Sequence, residues 1–494
     1  MITSTLSGAA AGSERVVRGP LIVCLFAVAV QVLDMTMLAA ALPVIARALQ
    51  LPATQHMLVV TGYSLVFGCA LMAAAHFGDR FGRKRIYLTG MTGYALCAGW
   101  CATAGGGTEL VTARCLQGLC GALMAAQTLA VITTSFGPRH RTTAFAAHSA
   151  TAAAVAVAGP VLGGLLVDAD LGNTGWRAVF LAEMVCALVA VAAAVRFLPR
   201  HRPVPDRRSD PVGAGLGIAV VAVLLSLVLP LGGPRSVPEL AVGGVCVAVA
   251  LPVLVHRGRG TGRAQILPVA LFARREFALG AVAVLGFSAI FAGLPLTVSN
   301  TAQLGLGFSA QQAGMLLLPS ALGAVAGAIS APMLIHRIGT VTLLAGTVLF
   351  GLATVSVAVL IDPGSGRIDV PGLIVPLAVA GIGLGWFAAP LPALLMSGID
   401  PDDTGAASGS VPTLQQLGGA LGPVILLARP EQASADGLPI PASATAGSAA
   451  ETGIPFDSAA ASDHLAALVN SLWIVAGMAA ALAAVVLALP RERR

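Results

Sequence analysis

The sequence predicts an all-α polytopic membrane protein with 14 transmembrane helices, arranged as two six-helix bundles with two extra helices between them. Three observations lead there. The first is composition: 57% of the 494 residues are apolar and 10% are charged, with a mean hydropathy of +0.88. A soluble chain is about 45–50% apolar and roughly 25% charged. Too few charged residues exist to cover a water-facing surface, and the chain is too hydrophobic to stay disordered. The second is the spacing of the apolar residues, which fall into fourteen runs. Most match the roughly 20 residues that cross a hydrocarbon core of about 30 Å. The third is where the basic residues lie, in the short stretches between those runs.

In order, the runs cover 20–46, 57–76, 86–104, 109–134, 142–167, 176–198, 211–231, 238–256, 275–301, 309–334, 340–361, 371–396, 404–428 and 463–489. They lack the alternation of strands, and backbone groups in lipid must be satisfied within the segment, which leaves helices. Residues 1–19 form a short polar tail. No small-residue cleavage site follows the first run, so it reads as a retained helix rather than a signal peptide. The N-terminal bundle is expected at 20–198 and the linker with two extra helices at 199–274. The C-terminal bundle follows at 275–489, and 490–494 is a tail. Within the linker, 199–210 is rich in Pro, Arg and Asp and reads as a hinge. Residues 429–462 are rich in Ala, Ser, Pro and Gly and read as a disordered external loop.

Placing the N-terminus in the cytoplasm puts 22 of the 28 Lys and Arg residues on the inner side and 4 on the outer side. That asymmetry predicts cytoplasmic termini in a cell-membrane protein. The net charge of +6 is therefore a topology signal rather than a nucleic-acid footprint. The 8 Cys residues lie in or beside apolar runs, without metal-ligand spacing, and read as small packing residues. No phosphate-binding loop, zinc-protease motif or nucleophile elbow appears. An enzyme, a cofactor, a metal and a nucleic-acid partner are accordingly not expected.

Several ordered motifs carry chemistry. Asp79, Arg80, Gly82 and Arg83 follow the second run, and His336-Arg337-x-Gly339 echoes them after the tenth. Gly82 permits a tight turn, and Asp79 can sit near a helix N-terminus or accept from Arg83. Asp34 and Thr36 lie in the first run. Asp34 is about 21 Å along that helix, at 1.5 Å per residue. A carboxyl there is costly and reads as functional, because desolvation disfavours its charged form and suits it to take and release a proton. Arg114 and Gln117 lie in the fourth run. A buried Arg stays charged and needs carbonyls, water or a carboxylate. The fifth run holds Gly159, Pro160, Gly163 and Gly164. Pro160 can kink a helix, and the glycines allow another helix to approach closely. Each motif also has a plainer reading: a solvated basic loop, a structural Asp pair, an Arg solvated near a helix end, or ordinary packing.

Together these motifs resemble the major facilitator superfamily, and within it the fourteen-helix drug:proton antiporters. The resemblance covers roughly 20–430. It includes Trp176-Arg177-Ala178-Val179-Phe180 and the stretch Gly405–Ser408 with Thr413–Gly419. It departs from the family pattern at Ala75, Val155 and Gln415. It also departs at Glu183, which stands where the family usually carries a neutral amide. The resemblance implies a monomeric exporter that trades protons for a lipophilic small molecule, with a cationic one among the options. In that reading Asp34, Arg114 and Glu183 handle protons. Asp79, Arg80, Gly82, Arg83 and the fifth-helix glycines with Pro160 gate. Thr36, Gln117, His148, Asn300, Gln303, Gln415 and Gln416 are pocket candidates. Glu183 has three open readings: a second proton site, a site for a cationic substrate, or a structural partner of His148 or Arg177. Two other functions fit less well: a proton-linked carrier for one metabolite, and a membrane sensor without transport.

Overall fold

The computed structural model describes residues 3–136, 138–199, 274–339, 341–365, 367–391, 404–427 and 458–488. They form twelve α-helices: α1 (Thr3–Ala48), α2 (Ala53–Phe81), α3 (Arg83–Thr103), α4 (Gly107–Ser135), α5 (Pro138–Asp168), α6 (Arg177–Phe197), α7 (Arg275–Asn300), α8 (Ala310–Ile338), α9 (Val341–Leu360), α10 (Val370–Ala388), α11 (Thr404–Leu427) and α12 (Ser458–Ala488). Among the described residues no strand occurs, and 10 helices are long and apolar enough to cross a membrane. The two extra helices expected at 211–231 and 238–256 lie outside the described residues. So do the hinge from residue 200 onward and the external loop as far as residue 457.

Several helices outrun their apolar stretches. α1 starts at Thr3, although its apolar span is Gly19–Ala48. The basic stretch expected as a loop at 77–85 is almost entirely helical. α2 runs to Phe81, α3 begins at Arg83, and Gly82 alone joins them at φ 94°. Only glycine adopts that conformation without strain. Its sequence counterpart Gly339 ends α8 at φ 62°. The internal echo therefore marks the same device twice. At the other end of α8, Ser309 and Gln312 form a reciprocal capping box, which satisfies two amides that no turn precedes.

The helices sort into two lobes. In the first, α1 packs on α4, α5 and α6, while α3 and α4 pack on each other, α2 on α4 and α6 on α3. Its centre includes Phe67, Tyr87, Met91, Tyr94 and Met124. In the second, α7 packs on α11 and α12, α8 on α10, and α9 on α10 and α12. Phe277, Phe350, Phe387 and Leu414 lie at its centre. Lipid tails are as apolar as these side chains, so close packing rather than water exclusion must hold such helices together. The α8–α10 crossing illustrates this, because a Cβ on Gly381 would run into the backbone oxygen of Ser320. The lobes are joined where α5 packs against α8, α2 against α11, and α1 against α7 and α8.

Candidate functional site

The buried polar groups of the first lobe converge on one point. Asp34 (0% exposed), Arg114 (1%), Gln117 (0%) and Glu183 (1%) come from α1, α4 and α6. Both Asp34 carboxylate oxygens accept from Arg114, through Nη1 and through Nη2, the latter at 3.2 Å. Arg114 Nε donates to the Val59 carbonyl at 3.1 Å, and Nη1 also donates to Gln117 Oε1 at 2.8 Å. The Tyr63 ring covers the guanidinium, with its centroid 4.5 Å from Cζ. Gln117 Nε2 then donates to Glu183 Oε2 at 3.2 Å. A planar guanidinium suits this two-pronged clasp, which a lysine ammonium would not reproduce.

The structure therefore pairs two residues that the sequence offered separately, and it extends the pair to Glu183 through Gln117. Gln117 was expected in a substrate pocket; its amide is instead spent within this chain of bonds. Glu183 does not pair with the partners anticipated for it. Arg177 donates to the Ala104 carbonyl at 3.1 Å and lies over the Trp176 ring. His148 is half-buried on α5 and makes no hydrogen bond or ion pair with Glu183. Tyr63 and Tyr94 were missed by sequence reasoning. Both are buried beside the network with hydroxyls that lack a partner, and no motif surrounds either in the sequence.

The gating glycines have clear packing roles. α5 stays helical through Pro160. A Cβ on Gly159 would strike the Thr36 side chain, and one on Gly163 would lie 2.8 Å from the backbone of Met37. These two seat α5 on α1. Gly164 instead faces the other lobe, against Ala310 and Gln311, and Gly314 of α8 faces the Pro160 backbone. The same end of the molecule carries three hydrogen bonds between lobes. Gln311 N–H donates to Asp168 Oδ2 at 3.0 Å, a carboxylate at a helix N-terminus. Arg47 Nη2 donates to the Gln303 carbonyl at 2.8 Å. Gln303 Nε2 donates to the Ala40 carbonyl at 2.8 Å. Gln303 thus ties the lobes together here, although it was expected in a pocket. Arg47→Gln should loosen this end by about 1.5 kcal/mol, the worth of a charged hydrogen bond. Spin labels at Asn173 and Leu304 would report the change as a larger population at long distance.

The remaining candidates divide. The Thr36 hydroxyl is turned back onto its own helix, donating to the Val32 carbonyl at 2.7 Å. Asn300 and Gln416 are buried, each with a side-chain oxygen that lacks a partner. Gln416 packs where α11 meets α2, its Cβ against Gly68. Gln415 is exposed one turn before Gly419. A Cβ on Gly419 would come within 4 Å of Met35, Ser64 and Ala292, so Gln415 continues the face of α11 that looks between the lobes. At the α2–α3 joint, Arg80 is exposed and lies over Phe81. Arg83 donates to the Ala130 carbonyl at 2.8 Å and to Thr134 at 3.0 Å. The side chain of Asp79 lies outside the described residues.

Two helical lobes that meet tightly at one end, with a buried polar network inside the first, define a polytopic membrane protein. The chain belongs to the Major Facilitator Superfamily, whose family model matches residues 24–423. It is 32% identical over 375 residues to the "probable actinorhodin transporter" of Streptomyces coelicolor, a match spanning 74% of this chain and 64% of that one. It is 31% identical over 414 residues to the puromycin resistance protein pur8 of Streptomyces alboniger, covering 82% of this chain and 80% of that one. Its fold is shared with the crystal structure of tetrameric PepTSo2, at a TM-score of 0.62 and 13% identity over 96% of this chain and 98% of that chain.

Proposed function

We propose that the chain exports lipophilic, cationic drugs or antibiotics across the cytoplasmic membrane in exchange for inward-moving protons. The single observation that carries this reading is the dry clasp of Asp34 by Arg114 inside a facilitator-superfamily lobe. A buried ion pair joined to a second acid is a coupling device, and its burial keeps proton exchange out of bulk water. The resistance and transport names of the relatives support the direction and the type of cargo.

In this reading both termini are cytoplasmic and the chain works as a monomer. Its halves are residues 20–198 and 275–489, joined by the linker at 199–274. The end fastened by Arg47, Gln303 and Asp168 is then extracellular, and the opposite end is cytoplasmic. A proton entering from outside loads the Asp34 network and favours release of cargo, and cargo arriving from the cytoplasm displaces the proton. Asn300, Gln415 and Gln416 offer the cargo polar contacts. The α2–α3 joint, through Asp79, Arg80, Gly82 and Arg83, and the fifth-helix glycines set the rocking of the lobes.

The test is transport in proteoliposomes, with tetraphenylphosphonium as the lipophilic cation. A pH gradient should drive its movement opposite to the protons, and Asp34→Asn should stop it. Proton flux without opposite movement of the cation would defeat antiport. A dedicated exporter for one metabolite is the second reading, favoured by a relative named for a single compound. A susceptibility panel in a pump-deficient strain separates the two by breadth of protection.

A further inference from the structure

Asp34 and Glu183 are the two acidic side chains buried among the described residues. They do not have equal partners. Asp34 takes both arms of the guanidinium, whereas Glu183 Oε2 receives a neutral amide at 3.2 Å. Glu183 Oε1 is buried and has no hydrogen-bond partner. Asp34 and Glu183 are linked through Arg114 and Gln117, each one hydrogen bond from that pair. An ionised carboxylate only accepts, so two such groups cannot satisfy each other.

The charges around this point can be counted. α1 contributes Asp34, α2 Tyr63, α3 Tyr94 and Cys101, α4 Arg114, and α6 itself Cys186 beside Glu183. Tyrosines and thiols are neutral at physiological pH. One cation therefore faces two carboxyls, and burying an unbalanced carboxylate is far costlier than leaving it protonated.

We propose that Glu183 carries the exchangeable proton in this conformation, while Asp34 stays ionised against Arg114. A proton on Oε1 leaves the unpartnered oxygen uncharged, and the carbonyl oxygen Oε2 keeps the Gln117 amide. When the lobes open to the cytoplasm, the O–H bond of Glu183 breaks and its proton passes to water. The electron pair stays on the carboxylate. The network then has one negative charge in excess, which a monovalent cationic cargo neutralises. This assignment rests on the antiport reading for its role in transport, but not for the proton's location.

The location is testable without any substrate. Infrared spectra of the purified protein at neutral pH should contain one D2O-sensitive carboxylic-acid stretch from a buried group, and Glu183→Gln should remove it. Size exclusion would verify that this isosteric variant is folded. The wild type should also be treated with dicyclohexylcarbodiimide, a hydrophobic reagent that adds to protonated carboxyls in membranes. Peptide mapping should find the adduct on Glu183. Absence of the band from the wild type, its survival in E183Q, or an adduct on Asp34 or on neither residue would overturn the assignment. If band and adduct are found but tetraphenylphosphonium does not move against protons, the exporter reading fails and the proton assignment stands.

Discussion

Arg114→Met is expected to abolish transport and to destabilise the protein by about 3–5 kcal/mol, the cost of removing one partner from a buried ion pair. The effect comes from what the arginine leaves behind. Asp34 would lose both donors to its carboxylate, the Val59 carbonyl and Gln117 Oε1 would lose theirs, and Tyr63 would lose the cation over its ring. Asp34→Asn alone should destabilise less, because Glu183, linked to Arg114 through Gln117, can take over as the counter-charge. Combining Arg114→Met with Asp34→Asn and Glu183→Gln should recover much of the lost stability, since no buried charge then lacks a partner. It should recover none of the transport. That pattern separates holding the lobe together from moving a proton through it. Thermal unfolding in detergent and efflux from loaded vesicles measure the two. Equal loss of stability in the single and triple variants would show that packing, not charge, governs this point.

The site shows what the sequence could and could not make legible. Apolar run length locates helices in lipid because the bilayer fixes their length, and each described helix falls on a predicted run. Helix ends were less legible. Outside the hydrocarbon, polar residues extend a helix as readily as they form a loop, so the stretch around Arg80 and Arg83 became helix with Gly82 as a one-residue joint. Asp34 and Arg114 were each recognisable as expensive in a membrane. Their pairing was not, because 80 residues separate them and only the packing of α1 on α4 brings them together. For Glu183 the sequence suggests the charged or titratable groups Arg177 and His148 as partners. The structure supplies an amide from another helix, which carries no charge to betray it. Gln303 misled for a related reason: its polarity suggested a pocket, whereas it bridges the lobes.

The fifth-helix glycines yield the second large effect. Gly164→Val should hold the lobes apart at the end that Arg47 and Asp168 fasten, and should cut transport ten-fold or more. A side chain at 164 would meet the backbone of Ala310, and Gln311 Cα at 2.6 Å. Backbone cannot turn aside as a flexible side chain can, so α5 and α8 must part. Overpacking of this kind costs roughly 1–3 kcal/mol, and about 1.4 kcal/mol already shifts a two-state population ten-fold. Gly314→Val presses on the same crossing from the other helix, against the Pro160 backbone, and should give the same phenotype. Gly163→Val should differ, because it separates α5 from α1 within one lobe and so disturbs folding before it disturbs alternation. Gly477→Ala is the control, since nothing lies within 4 Å of its added methyl group. Spin labels at Asn173 and Leu304 would read the separation directly. An unchanged distance distribution in Gly164→Val would mean that the α5–α8 crossing yields locally, and that the closed end depends on the Arg47 and Asp168 hydrogen bonds instead.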